Sequence, residues 1–304
     1  MAPHPRMTYD VVAVVGPTAV GKSAVGVELA RALGGEVVNA DSMQLYRGMD
    51  IGTAKLTPAE RGGVPHHLLD VLDVRETSTV AGYQRLAREA IDEVRARGVT
   101  AVLVGGSGLY VQAALDALDF PGSDPAIRAE LEAQLAAVGA EALHDRLAAA
   151  DPLAASRIHP SNGRRTVRAL EVITATGRRY SDSGPGMTAY QAVYPVRLLG
   201  LDSETPVLDQ RIAERVDRMW ALGLVDEVRA LAAAGLRDGV TARRALGYAQ
   251  ALAMLDGEYD EAAARQRTVQ ATRRFVRRQR SWFRRDPRIT WSATPDELLE
   301  LARP

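Results

Sequence analysis

Val11-Val12-Ala13-Val14-Val15-Gly16-Pro17-Thr18-Ala19-Val20-Gly21-Lys22-Ser23 is the stretch from which the fold can be read. It opens as an apolar run of strand length and closes on the pattern GxxxxGK[ST]; a helical pattern follows from Ala24 to Leu33 and stops at Gly34-Gly35. Strand, glycine-bounded loop, lysine, hydroxyl and helix form a phosphate loop. Backbone N–H groups turn inward as an anion nest, and the helix start adds partial positive charge. Gly16 and Gly21 permit a close backbone approach that a side chain would block. Lys22 reaches phosphate oxygens and the Ser23 hydroxyl is placed for Mg²⁺. A di- or triphosphate ligand is implied; the motif leaves open which one, and whether a phosphoryl group moves.

The remainder of the composition is that of an ordinary globular chain. Its 304 residues are 46% hydrophobic and 25% charged, enough for one large domain or two modest ones. With no cysteine, disulfides, thiolate metal sites and cysteine nucleophiles are all excluded. No apolar run approaches membrane-spanning length, and Met1 to Tyr9 lacks the apolar core of a signal peptide, so a cytoplasmic protein is expected. The formal net charge of +0, from 38 basic and 38 acidic residues, hides a basic C-terminal region.

Beyond the first helix, Glu36-Val37-Val38-Asn39-Ala40 reads as a second buried strand that runs into Asp41-Ser42. Ligands in open parallel sheets sit beyond the carboxyl ends of the strands, so Asp41 and Ser42 share an edge with the phosphate loop. Asp41 can hold Mg²⁺ through a water, act as a general base, or simply be a solvated strand-end carboxylate. Gln44 to Lys55 has neither helical nor strand period and reads as a loop over the site. The pair His66-His67 lies on a short apolar segment; with alternate facing and no third ligand nearby, structural or substrate-contacting roles are favoured over zinc. A helix from Val80 to Arg97 leads to the strand Thr100 to Val104, which ends in Gly105-Gly106-Ser107-Gly108. Those glycines again bring backbone close to a ligand, with Ser107 as the functional hydroxyl.

From residue 121 to 190 the alternation stops. Helices are expected from Asp124 to Val138, from Glu141 to Ala149 and from Arg164 to Ile173, with a linker at Ser181 to Gly186. Arg164, Arg165 and Arg168 give the last of these helices an anion-facing side. Alternation resumes with the strand Val196 to Asp202 and a helix from Leu208 to Leu222 that carries Arg211, Arg215 and Arg218. Between Arg265 and Arg285 nine arginines stand among Phe275, Trp282 and Phe283, with no acidic residue between them. Uncompensated arginines with interleaved aromatics suit a phosphate backbone and stacked bases over roughly 30 Å of helix. The fold expected is α/β: a P-loop kinase-like parallel sheet flanked by helices, built from residues 1–120 and 191–304, with a helical insertion at 121–190 and a basic C-terminal helix.

Taken together these segments resemble the bacterial tRNA dimethylallyltransferases, the tRNA isopentenyltransferase family. The likeness runs nearly end to end: Gly16 to Ser23, Asp41-Ser42-Met43-Gln44-Leu45-Tyr46-Arg47, Ile51 to Lys55, Pro65-His66-His67, Gly105 to Tyr110, Arg164-Arg165, Arg168 to Glu171, Gly247-Tyr248, and Thr272 through Arg278-Gln279 to Arg284. The resemblance implies dimethylallyl diphosphate as the phosphate-loop ligand, Mg²⁺ as helper, and transfer of the five-carbon group to N6 of the adenosine next to the anticodon. By the same likeness Thr18, Ala19, Val20, Gly21, Lys22 and Ser23 cradle the diphosphate and Asp41 takes the amine proton. Arg215, or its neighbour Arg211, meets the diphosphate. Contacts to tRNA are implied for Asp41, Ser42, Met43, Gln44, Ser107, Arg128, Arg164, Arg165, Thr166, Val167, Arg168, Arg243, Arg244, Gly247 and Tyr248; the basic helix adds Arg274 and Arg278. The chain departs from the family pattern at Ser107, where threonine is usual, and at Leu246 and Ala249. A monomer is expected. Two other activities use the same loop: prenylation of free adenylate, and ATP-dependent phosphorylation of a small molecule.

Overall fold

The computed structural model describes residues 9–122, 124–182 and 189–302. Most of the linker expected at Ser181 to Gly186, and all but the last residue of the N-terminal stretch to Tyr9, lie outside the described residues; Tyr180–Asp182 form a 3-10 turn. Contacts divide the chain into two compact units: the chain up to Leu115 together with that from Ala192 onward, and Asp116–Gln191 between them.

In the first unit six strands form one parallel sheet: β1 (Val11–Val15), β2 (Glu36–Asn39), β3 (His66–His67), β4 (Ala101–Gly105), β5 (Val196–Leu201) and β6 (Thr290–Ser292). Their order is β3-β2-β4-β1-β5-β6, with Val11 opposite both Ala101 and Val196. Central β1 is buried along its whole length, which its apolar run requires, since helices cover both faces. Alternation along it sorts the core. Val11, Ala13 and Val15 pack with Ile91, Leu103, Leu115 and Phe283 on one face, while Val12 and Val14 pack with Val25, Leu29, Leu199 and Ile212 on the other. Each such aliphatic side chain contributes roughly 1.5–3 kcal/mol on burial.

Helix α1 (Lys22–Leu33) follows β1, the short α2 (Pro58–Arg61) precedes β3, and α3 (Val80–Ala96) and α4 (Gly108–Leu115) flank β4. The second unit is all helical: α5 (Pro125–Ala150), α6 (Pro152–Arg157) and α7 (Gly163–Thr176). Gly139 has φ +83 and ψ 170, so α5 is two helices meeting at a break, as the separate helices to Val138 and from Glu141 anticipate. After β5 the first unit continues with α8 (Thr205–Ala221), α9 (Leu224–Ala233), α10 (Tyr248–Leu255), α11 (Glu261–Phe283) and α12 (Pro295–Ala302). A third apolar cluster, with Tyr46, Met49, Trp220 and Tyr248, lies beneath the loop from Gln44 to Lys55.

Within the helical unit the fixed point is Glu171, whose carboxylate is fully buried. It accepts from the Arg128 guanidinium at 2.5 Å, from Arg168 at 2.9 Å and from the Asp124 backbone N–H at 3.1 Å. Arg128 and Arg168, read from sequence as tRNA contacts, are thus bound to an internal acid, and Arg168 also donates to the carbonyls of Gly122 and Pro121. A buried carboxylate is tolerated only when it is paired in this way. Glu171→Ala removes the centre of this network, and urea denaturation followed by circular dichroism should show a loss of about 2–4 kcal/mol.

Candidate active site

The carboxyl ends of β1, β2, β4 and β5 bring four loops to one edge of the sheet. The phosphate loop sits at the centre. Gly16 has φ +146, and a Cβ there would lie 2.1 Å from the Leu201 carbonyl oxygen, so only glycine lets the loop pass β5. Ala19 and Gly21 are also left-handed, at φ 68 and φ 105. Gly21 occupies the N-cap of α1, and no side chain caps the helix start. Its first-turn N–H groups therefore keep their capacity for an anion. Thr18, Ala19 and Ser23 are half-buried around this start, and Val20 anchors the loop in the core.

Lys22 donates from Nζ to the Pro17 carbonyl at 2.6 Å. Burial pushes its ammonium down to about 8, opposed by Asp41 and reinforced by Arg215. Some of the side chain remains open to solvent while most of its surroundings are protein. Burial likewise lowers Arg215, against the pull of Asp41. The Asp41 charge thus acts on both desolvated cations, Lys22 and Arg215, without forming an ion pair with either. Arg215, half-buried on α8, is the arginine whose charge is coupled to Asp41, whereas Arg211 is exposed.

Asp41 is held by its own turn. Its Oδ1 accepts from the Met43 N–H at 2.9 Å, and its N–H donates to Asn39 Oδ1 at 2.9 Å. The Asn39 amide donates in turn to the carbonyls of Asp41 and Leu68, both at 3.0 Å, and the Tyr83 hydroxyl donates to the Asn39 carbonyl. Next to it, Ser107 Oγ accepts from the Ser42 N–H and donates to Ser42 Oγ, joining the β2 and β4 loops. Gln44 donates to the Thr53 carbonyl. The Glu227 carboxylate accepts from the N–H groups of Asp50, Ile51 and Gly52 and from the Tyr248 hydroxyl. Buried Lys55 ties Asp50 to Asp70. The aperiodic stretch over the site is therefore fixed by named contacts. His67 pairs with Glu36 at 2.6 Å, and His66 meets the Val64 carbonyl.

Three of the side chains expected at the tRNA are buried in the structure. Tyr248 is fully buried: its hydroxyl serves Glu227 and its ring packs on Gly52. Thr166 and Val167 point into the helical unit, because they lie on the apolar side of α7. Arg164, Arg165, Arg243 and Arg244 are exposed, and Gly247 caps α10. The arginine run of α11, expected to be uncompensated, is compensated in part. Arg265 pairs with Asp217, Arg273 with Asp209, and Arg280 and Arg284 with Asp202, the acids coming from β5 and α8. Two of its three aromatics are turned inward, Phe283 in the core and Trp282 over Gly108, while Arg278 lies over the half-buried Phe275 ring. Arg274, Arg277 and Arg278 remain exposed. Asn39, Glu227, Asp202 and Gln279, which the sequence reading left without a role, support the site; the matched spacings of Asp209 and Asp217 on α8 and of Arg273 and Arg265 on α11 were a usable signal for an antiparallel pairing.

Fold and site together define an α/β protein with the geometry of a phosphate loop at its sheet edge and a carboxylate and an arginine near it. The family model described as IPP transferase matches residues 44–286. A Streptomyces griseus protein named tRNA dimethylallyltransferase is 65% identical over 287 residues, covering 94% of this chain and 91% of that one. One of the same name from Acidothermus cellulolyticus is 63% identical, over 96% of this chain and 91% of that one. Among solved structures, the full-length tRNA isopentenylpyrophosphate transferase of Bacillus halodurans superposes with TM-score 0.71 at 42% identity, covering 97% of this chain and 94% of that one. A eukaryotic dimethylallyltransferase acting on tRNA, 24% identical with TM-score 0.77, covers 94% of this chain and 75% of that one and shares the fold. The chain belongs to the IPP transferase family.

A pH prediction follows from Lys22. Below about 8 its ammonium is charged and attracts diphosphate, and as pH rises through that value the charge is lost. Affinity for inorganic diphosphate, measured by calorimetry, should fall by up to roughly tenfold per pH unit above this point. Lys22→Met should bind weakly at every pH and flatten the dependence.

Proposed function

We propose that this protein transfers the dimethylallyl group of dimethylallyl diphosphate to N6 of the adenosine next to the anticodon of tRNA and releases diphosphate. The observation that carries the reading is the Lys22–Asp41–Arg215 cluster at an uncapped helix start. Two desolvated cations with one counter-ion favour a strongly anionic ligand, and charge develops on a departing diphosphate as its bond to carbon breaks. In the transfer, the allylic C1–O bond breaks with its electron pair going to diphosphate. The N6–C1 bond forms, and the N6 proton passes to Asp41. Lys22, Arg215 and the first-turn N–H groups of α1 receive the growing negative charge.

The donor set suits Mg²⁺: the Ser23 hydroxyl and the Asp41 carboxylate are hard oxygen ligands at the same sheet edge. Asp41 Oδ1 is engaged with Met43, which leaves Oδ2 for a metal-bound water or for the amine proton. When bound, the ion would neutralise charge on the diphosphate oxygens. Asn39 and the Ser42–Ser107 pair would hold the Asp41 turn as the acceptor base enters.

An N6 amine inside a base stack has to be extruded to react, which costs a few kcal/mol and least in a loop. The exposed Arg274, Arg277 and Arg278, together with Arg164, Arg165, Arg243 and Arg244, would offset that cost through phosphate contacts. A helical unit at 121–190 and a row of exposed arginines would be idle in an enzyme for free adenylate or a small alcohol, which favours tRNA over both alternatives. No described helix is long and apolar enough to cross a membrane. A tRNA substrate would place the protein in the cytoplasm, and the scheme draws on one chain only, as in a monomer.

Single-turnover assays with labelled dimethylallyl diphosphate test the reading. Label should enter unmodified tRNA, with Mg²⁺ stimulation, and should not enter AMP; label in AMP alone would overturn the assignment of the acceptor. Asp41→Asn keeps an oxygen for the Met43 N–H and removes the base. Its transfer rate should fall by about 10²–10⁴ with tRNA binding retained.

A further inference from the structure

Gln279 lies on α11, the helix whose outer face carries Arg274, Arg277 and Arg278, yet its own side chain is 5% exposed and turned into the sheet edge. Its Oε1 accepts from the Thr18 N–H at 2.9 Å, and its Nε2 donates to the Gly106 carbonyl at 2.9 Å. The amide can sit only one way round, because a flip would set Nε2 against an N–H and Oε1 against a carbonyl. One side chain therefore ties the phosphate loop to the loop after β4. The junction is tight. A Cβ on Gly106 would lie 2.5 Å from Gln279 Nε2, 3.2 Å from the Gly16 carbonyl oxygen and 3.5 Å from Lys22 Nζ. Lys22 completes the arrangement by donating to Pro17 in the same loop.

We infer that Gln279 is a positioning residue for the diphosphate, which fixes the phosphate loop by holding the Thr18 N–H and the Gly106 carbonyl in one bridge. A loop of left-handed residues has no side-chain cap and few internal contacts to define it. An anion nest works only if its N–H groups converge before the anion arrives, so the rigidity has to come from outside the loop. The Gln279 bridge supplies it from α11, which is itself anchored at Arg280 by Asp202, Ser203 and Thr205. By taking up the Thr18 N–H, the bridge also directs the diphosphate toward Gly21, Lys22 and Ser23 instead of the entry of the loop. The inference rests on the proposed use of this loop for a diphosphate.

The test compares Gln279→Met, which keeps the length and removes both hydrogen bonds, with Gly106→Ala, which leaves the glutamine but crowds its Nε2 from 2.5 Å. In both, the Kd for inorganic diphosphate by calorimetry should rise roughly tenfold or more. Affinity for an anticodon stem-loop RNA should stay within about twofold, because the exposed arginines are untouched. In turnover, KM for dimethylallyl diphosphate should rise more than kcat falls. Diphosphate affinity unchanged in both variants would overturn the inference. So would diphosphate and RNA affinities falling together in step with Tm, or failure of both variants to fold, since each outcome makes Gln279 purely structural. Wild-type protein that binds diphosphate but does not transfer to tRNA would defeat the tRNA reading alone, leaving the binding comparison intact.

Discussion

Lys22 and Arg215 are held where burial penalises their charge, and Asp41 is the carboxylate that opposes the penalty for both. Most of the surrounding architecture serves to keep these three groups together. Lys22 is fixed by its place at the start of α1, immediately after a loop that only glycine lets past β5. Asp41 is fixed because β2 ends beside β4 and Asn39 closes the turn. Arg215 arrives on α8 at the edge of the side buried through Ile212, Val216 and Met219. A site left with surplus desolvated positive charge is one that an anionic ligand stabilises, so the ligand completes an electrostatic balance that folding leaves open.

Helix α11 shows how one element can serve the core and the surface at once. Its buried side, from Ala264 through Thr268, Thr272, Val276 and Gln279 to Phe283, repeats at helical spacing and reaches both faces of the sheet core. A second set of positions pairs with acids on α8 and at the end of β5. The residual face, at Arg267, Arg274, Arg277 and Arg278, is exposed and carries no acid partner among the described residues. Exposed ion pairs of this kind contribute little stability each, and their effect here is to set the register of α11 against α8.

Much of this was legible in the sequence, for identifiable reasons. The β1 run, the phosphate-loop spacing and the glycine stops carry local information, so the strand, the loop and α1 follow from them directly. The break in α5 at Gly139 and the strand after Gly98 are of the same kind. What could not be read were contacts between residues distant along the chain. The arginine run looked uncompensated because its partners, Asp202, Asp209 and Asp217, lie on other elements. The family likeness sets Tyr248 with Arg243 and Arg244 toward tRNA, but Glu227, on α9, gives its hydroxyl an internal partner. Asn39 and Gln279 carry no charge, and although Gln279 falls in a stretch that carries the family likeness, only their buried amides, satisfied at both ends, reveal their role.

The family model begins at residue 44, so it covers Ser107, Arg215 and Gln279 of the site but neither the phosphate loop nor Asp41, which stand on geometry. That geometry separates two uses of one loop. In phosphoryl transfer the cradle grips the group that stays with the nucleotide while the terminal phosphorus is attacked. In the reaction proposed here no phosphorus is attacked, and the whole anion departs. The demand on the protein is then simpler: bind a diphosphate strongly, and more strongly as its bond to carbon lengthens. Fixed N–H groups, a half-buried lysine and a half-buried arginine meet that demand without moving, because their cost of desolvation and ordering has already been met in the folded state.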